Sequence, residues 1–475
     1  MPDIRYVCLS DMHLGEEDSI LTNLKTTGSE TDPLKPGPVM KQMVECLRGL
    51  ISKNEDSKKP TLILNGDILE LALTNTNQAA MVFERFIEMI MPPGGEMFER
   101  IMYIPGNHDH HLWELARETQ YVNHMKKFRP GEELPVPWHT TNMFVENDPY
   151  NLPSYFLTNL VNRFEHLKDF VITTAYPNFG IVSEDQQKCV MFHHGHYIET
   201  IYHVMSIFKN LFHEKHKMPE NIYDIEAENF AWIDFFWSTL GRSGEAGRDI
   251  ETLYEKMIDR ERFKKALSAF ADNLGERYNL PGIDWLTVKG LKVLFGNLAD
   301  MMADRERAYG DQVLSKQTEN GLRKYLNVPL KQQIITEQDQ NIPSDVTFVF
   351  GHTHKPFQND MVFKEYQGWV NVYNTGGWVV DTIEPQPIHG GAMVLIDEDL
   401  NAVSLRLYNE NADPDAYVVT VVEAAHAGED PNPFHKRIAG LVAPASEQWK
   451  RFSRIVARAV YERAQLLRAR IHEKS

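Results

Sequence analysis

Cysteine is nearly absent from this chain: Cys8, Cys46 and Cys189 are the only three in 475 residues. An odd, scattered set excludes a disulfide framework and suits a reducing compartment. Also missing is any uninterrupted apolar run of the roughly 20 residues that a membrane-spanning helix needs. The first residues, MPDIRYVCLSDMH, enter a strand-like run with no basic stretch leading into an apolar one, so no secretory signal is expected and the cytoplasm is the expected location. Positive charge is scarce too, with 49 Lys and Arg against 67 Asp and Glu and a formal net charge of −18. That balance disfavours nucleic acid as a partner, because sequence-independent binding draws on cationic contacts with phosphates.

What is present is a chain with 42% hydrophobic residues, enough apolar surface for more than one packed unit. β-rich runs stand at 4–10 (IRYVCLS), 61–65 (TLILN), 100–104 (RIMYI), 188–194 (KCVMFHH), 346–350 (VTFVF) and 370–375 (VNVYNT). Between the first two, VMKQMVECLRGLI at 39–51 repeats its apolar residues at helical spacing, which gives a βαβ pattern. Late runs at 392–397, 403–408 and 416–422 read as meander strands separated by turn residues. The stretch 198–340 is helical in pattern and is expected to be an insertion. The organisation predicted is a discontinuous α/β domain at 1–197 and 341–425, the insertion, and a linker with an Arg-rich amphipathic helix at 426–475. That helix could lie on an anionic membrane surface; docking on the body is the preferred expectation.

The polar residues fall at the ends of the β runs: SDMH at 10–13, NGDILE at 65–70, PGNHDHH at 105–111, HHGH at 193–196 and GHTH at 351–354. Loops at the carboxyl ends of strands are where open α/β sheets collect ligands, since a rigid scaffold holds the side chains. The Asp, His and Asn set suits divalent manganese, iron or zinc. Any one of these motifs alone has a plainer explanation: Asp-Gly marks turns, and GHTH can be two hydrogen-bonded histidines. Five in succession, each directly after an apolar run, point to one shared site.

The five motifs resemble those of the calcineurin-like metallophosphoesterase superfamily: Asp11-Met12-His13, Gly66-Asp67-Ile68-Leu69-Glu70, Gly106-Asn107-His108-Asp109, His194, and Gly351-His352-Thr353-His354. In style they are most similar to the bacterial UDP-diacylglucosamine pyrophosphohydrolase branch, from which the chain departs at His108, where Arg is usual, and in its greater length. The resemblance implies a four-layer αββα sandwich of two mixed β-sheets with a large helical insertion, and a centre of two divalent cations. It implies that Asp11, His13, Asp67 and His354 hold one cation and Asp67, Asn107, His194 and His352 the other, Asp67 bridging. His193 is the alternative to His194. The reaction implied is hydrolysis of a phosphoester or pyrophosphate bond in a phosphorylated small-molecule or nucleotide-like substrate by a metal-bridging hydroxide. A nuclease of the same fold and a non-catalytic interaction scaffold are the alternatives; the scaffold reading predicts substituted ligands, and none is substituted here.

His108 is then expected to protonate the leaving oxygen or to stabilise phosphoryl charge, with Asp109 fixing its tautomer. His110 and His111 are expected to make hydrogen bonds rather than to bind metal. His196 and Lys355 are placed at the rim as candidate phosphate contacts, and Arg242 and Arg248 in the glycine-rich loop 241–249 as a candidate phosphate clamp. The small-residue stretch NTGGWV at 374–379 is read as simple turn chemistry. In the insertion, Ile198, Ile201, Tyr202, Met205, Phe208 and Phe212 should form one helical stripe. The aromatic cluster from Phe230 to Trp237 is expected mainly to pack the cap, with the remainder walling the site.

Overall fold

The apolar runs become strands buried on both faces, which is why they read as nearly continuous rather than alternating. The structure is a computed structural model, and it describes residues 2–473 apart from 27, 29, 146–151, 213–216, 240–311, 426–429 and 443–446. One sheet has eight strands: β1 (Tyr6–Leu9), β2 (Thr61–Asn65), β3 (Arg100–Ile104), β4 (Leu152–Pro153), β5 (Ile172–Thr174), β11 (Gly390–Ile396), β12 (Ala402–Asn409) and β13 (Thr420–Val422). The other has five: β6 (Asn178–Val182), β7 (Lys188–His193), β8 (Asp345–Phe350), β9 (Phe357–Val362) and β10 (Trp369–Asn374). Their orders are β13-β12-β11-β1-β2-β3-β5-β4 and β6-β7-β8-β10-β9. Both sheets are mixed: β1 pairs parallel with β2 and antiparallel with β11, and β10 pairs parallel with β8 and antiparallel with β9.

Period-two alternation sorts the side chains into layers. Cys8, Ile63, Met102 and Ile104 from the first sheet meet Val190, Phe192, Val349 and Tyr373 from the second in a core between the sheets. Their neighbours Val7, Leu9, Leu62, Leu64, Ile101 and Tyr103 face the other way, into a core with the helices. That outer layer includes α1 (Pro38–Ile51), α2 (Thr76–Ile90), α3 (His111–Met125) and α4 (Tyr155–Val161). On the far side of the second sheet, Cys189, Met191, Phe348 and Val372 pack against the insertion. The insertion contributes α5 (Val204–Phe212), α6 (Ile222–Ile233), α7 (Lys316–Tyr325) and α8 (Lys331–Glu337). The result is the expected order helices, sheet, sheet, helices.

Two details differ from the sequence reading. The stripe from Ile198 does not run as one helix: 3-10 turns at His196–Ile198 and Thr200–His203 precede α5, whose first residue is Val204. Met205 is exposed while Ile198, Ile201 and Tyr202 are buried. The strands β4, β5, β6 and β9 were not anticipated; β4 and β5 are two and three residues long, and β9 (FQNDMV) lies at a sheet edge with polar residues.

After α9 (Pro433–Leu441), the C-terminal helix α10 (Glu447–Glu473) docks on the body. Trp449, Phe452, Val456 and Val460 are buried in the core that includes α1, and Arg463 donates to the carbonyls of Ser19 and Thr22. Phe452→Ala should therefore cost about 3–5 kcal/mol, as for other buried phenylalanines. Equilibrium urea unfolding measures this, and a loss below about 1 kcal/mol would mean that α10 is only a surface attachment.

Candidate metal centre

Chain geometry at the strand ends is unusual in a way that concerns function. Nine described non-glycine residues have positive φ, and five of them are Asp11, His13, Asp67, His352 and His354, all expected ligands. Left-handed backbone costs energy for residues with a Cβ and gathers where a site demands it. It turns these side chains back over the strand ends. Two glycines make room for them: a Cβ at Gly106 would fall on Asp67 Oδ1, and one at Gly351 on Asp11 Oδ2. The two sheets are stitched together at the same place. Asn65 Nδ2 donates to the His193 carbonyl at 3.1 Å, and the His352 amide donates to Asp11 at 2.9 Å.

The seven expected ligands are brought together as two neighbouring groups. Asp11, His13 and His354 form one, and Asp67, His194 and His352 the other, with ligand atoms in each within 4.8 Å of one another. Asn107 joins the second through Oδ1, 3.1 Å from His194 Nε2. Asp67 Oδ2 lies between the groups, 3.2 Å from His194 Nε2 and 3.8 Å from His13 Nε2. His193 turns away and packs against Tyr325, ring centroids 4.6 Å apart, so of the two candidates it is His194 that faces Asp67.

Hydrogen bonds behind the rings decide which nitrogen faces inward. His13 Nδ1 is bonded to Glu70 at 2.7 Å and His354 Nδ1 to Asp381 at 2.6 Å. His194 Nδ1 donates to the Asn65 carbonyl at 3.1 Å. With those Nδ1 positions protonated, each neutral ring presents a lone pair at Nε2. Yet His13 Nε2 and His354 Nε2 are 3.3 Å apart, and His194 Nε2 faces the oxygens of both Asn107 and Asp67. Acceptors that face one another in a dry pocket repel unless a cation lies among them. Burial would lower the His194 imidazole, but the Asp67 and Asp11 carboxylates raise it to about 9, so that without a cation a proton on Nε2 supplies the positive charge the pocket calls for. The donor set thus fits divalent cations.

His108 stands beside this centre, its ring centroid 4.9 Å from that of His13. Its tautomer is set by Glu70, whose Oε2 is 2.8 Å from Nδ1, and not by Asp109 as the sequence reading had it. Asp109 instead accepts from the amides of Gly106 at 2.7 Å and Ile68 at 2.8 Å, tying two motif loops together. Burial and the nearby Asp67 charge push its carboxyl up to about 6. Burial acts to raise Glu70 as well, but His108 and His13 hold it far below the usual carboxylate range. Glu70 accepts from two imidazoles at once, a role that its place in the GDILE motif did not reveal.

Two other placements, those of His196 and Lys355, correct the sequence reading. His196 and Lys355 are buried, not at the rim. His196 stacks on Tyr176, and Lys355 donates to the Gln312 carbonyl at 2.9 Å. The aromatic cluster divides: Phe235 is 57% exposed, while buried Trp237 lies 6.2 Å from the His108 ring. Tyr202 lies 5.3 Å from the His352 ring, so two insertion aromatics border the centre. Arg242 and Arg248 lie outside the described residues, as do the side chains of Phe208, Phe212 and Phe236.

A second buried polar cluster joins the insertion to the GNHDHH loop. His110 Nε2 meets Glu226 of α6 at 3.0 Å, and Glu226 also accepts from Tyr176 at 3.1 Å and from Tyr197. Glu114 is paired with Arg117, and His111, partly exposed, with Asp234 at 3.1 Å. With its oxygens already given to proton donors, Glu226 makes this cluster an ion pair in a hydrogen-bonded cage. Ser238 adds a bond to the Asn107 carbonyl at 2.9 Å.

Of the comparisons with known proteins, a family model supports this reading. Residues 4–235 match the family model described as calcineurin-like phosphoesterase. No curated protein matches the chain. Among solved structures, that of a phosphopantetheinyl hydrolase from Mycobacterium tuberculosis is similar at 13% identity and a TM-score of 0.25, over 79% of this chain and 90% of that one.

The His110 pair makes stability depend on pH. Burial would lower this imidazole, but Glu226 and Asp234 raise it to about 10, against about 6.5 in an unfolded chain. A raised folded value means a contribution complete below about pH 6.5 and lost as pH climbs through about 10. Glu226→Gln should destabilise the protein by about 3–5 kcal/mol at pH 6.5, the usual cost of breaking a buried pair, and by clearly less at pH 10. Urea unfolding at the two pH values checks this; a deficit that does not shrink with pH would assign the loss to packing alone.

Proposed function

Because the chain belongs to the calcineurin-like phosphoesterase superfamily, we propose that it hydrolyses a phosphoester or pyrophosphate bond in a phosphorylated small-molecule or nucleotide-like substrate with the help of two divalent cations. The observation that carries this reading is the set of mutually facing acceptors, His13 against His354 and His194 against Asn107 and Asp67, directly beside His108. Asp11, His13, Asp67 and His354 would hold one cation, and Asp67, Asn107, His194 and His352 the other; manganese, iron and zinc all suit such a set. Cations bound there supply the charge that polarises a phosphoryl group and activates water against it.

The chain's own residues do the rest. Glu70 holds His108 Nδ1, which leaves Nε2 as the nitrogen that can hand a proton to the leaving oxygen. The same carboxylate faces the imidazolium charge while that proton is held, and Asp109 keeps the two loops in register. His108 is 6% exposed, more than any of the seven ligands, consistent with a place on the substrate side. Trp237 and Tyr202 close the centre with apolar surface, which keeps bulk water out and strengthens every charge interaction within.

Two variants separate the roles. Asp67→Asn should lose most of the bound metal, read by elemental analysis, together with activity on phosphomonoesters, phosphodiesters and nucleotide-sugar substrates. His108→Ala should keep its metal yet lose roughly 10²- to 10⁴-fold in turnover on a poor leaving group, the range of general acid catalysis, and much less on a nitrophenyl ester. Full activity without metal would sink the proposal, and equal losses on both kinds of substrate would remove the acid role from His108.

A further inference from the structure

One carboxylate of the insertion bonds directly to the ring of an expected ligand. His352 differs from the other three histidines in the direction of its outer hydrogen bond: its Nε2, not its Nδ1, is engaged, by Glu199 Oε1 at 2.5 Å. That bond leaves Nδ1 as the nitrogen of His352 able to face Asp67 and His194. Glu199 lies at the base of the insertion, between the two 3-10 turns, and five residues after His194. It is mostly buried, with 11% of its side chain exposed.

The segment that carries Glu199 wraps His352 and is held from behind. Gly195 comes so close that a Cβ there would lie 2.8 Å from the His352 Cβ, and Tyr202 packs its ring 5.3 Å from the imidazole. On the outer side stands α7, from the far end of the insertion. A Cβ on Gly321 would collide with the Ile198 carbonyl, Gln317 donates to Thr200 at 3.3 Å, and Leu322 and Ile198 share one core. Both ends of the insertion therefore bear on the few residues around Glu199.

Resting on the dinuclear reading above, we propose that Glu199 is a positioning residue that fixes the ring orientation of His352 and thereby links the docking of the insertion to the affinity of the cation site formed by Asp67, Asn107, His194 and His352. A carboxylate behind a metal-bound imidazole locks the ring and strengthens it as a ligand, and losing such a partner typically costs 10- to 100-fold in metal affinity. Coupling of this kind is reciprocal: whatever shifts the 198–203 segment changes metal affinity at this site, and metal there tightens the segment.

The test uses the full chain, stripped by chelator and titrated with Mn²⁺ by calorimetry and electron paramagnetic resonance. The wild type should show two binding events. Glu199→Ala should weaken one of them 10- to 100-fold and leave the other within about two-fold. Glu199→Gln, whose amide oxygen can still accept from Nε2, should recover most of that loss, and His352→Ala should strike the same event. Glu319→Ala, on the exposed face of α7, should leave both events as they are. In the wild type, Mn²⁺ should also slow hydrogen exchange of the amides at 198–203, a readout that needs no variant to fold. Unchanged affinities in Glu199→Ala, equal weakening of both events, or exchange at 198–203 indifferent to Mn²⁺ would overturn the inference. A wild type that binds no Mn²⁺ at all would overturn the dinuclear reading instead.

Discussion

Nitrogen and oxygen acceptors aimed at one another in a water-poor pocket are the constraint on which the rest of this protein is arranged. The His13 and His354 Nε2 atoms lie 3.3 Å apart, a distance that lone pairs tolerate only around a positive charge. To bring them there the chain takes left-handed backbone at five of the seven expected ligand positions. Each such residue costs of the order of 1–3 kcal/mol. The strain is held because the loops spring from strands fixed in two packed sheets, with side chains such as Phe192 and Met102 filling the layer between them.

Behind each inward-facing nitrogen stands an oxygen that fixes its ring: Glu70 for His13, Asp381 for His354, the Asn65 carbonyl for His194 and Glu199 for His352. Glu70 and Asn65 both lie in the NGDILE stretch, whereas Asp381 lies in the loop between β10 and β11 and Glu199 at the base of the insertion. The centre is therefore not a property of the five motif loops alone. Glu70 goes further, since the same carboxylate orients both His13 and His108, so the position of one ring is tied to that of the other.

The insertion meets the centre at several points that differ in chemistry. Glu199 bonds to His352, Ser238 bonds to the Asn107 carbonyl, Glu226 pairs with His110, and Trp237 and Tyr202 supply apolar walls. Removing the segment would expose apolar surface and strip His110 of its carboxylate partners, and breaking such a pair is costly. A detachable lid is thus a poor description of the described part of this segment; it is a fourth layer with its own share of the second sheet's core.

The sequence by itself determined the strands that carry the motifs, the helical character of the described insertion and the residues that converge at the strand ends. It could do so because those signals are local: an apolar run of four to seven residues, a turn-forming glycine and a ligand-type side chain lie within about ten positions of each other. It also placed Glu70 in a motif without disclosing its double hydrogen bond, and it assigned to Asp109 the contact that Glu70 makes. Only tertiary structure decided the partners of the imidazoles, because Glu199 and Asp381 stand 153 and 27 residues from the rings they orient. The same holds for His196 and Lys355, which look like exposed loop residues in one dimension and are buried beneath Tyr176 and beside Gln312 in three. Burial and hydrogen-bond direction depend on what packs across a gap in the chain, and a string of residues carries no local record of that.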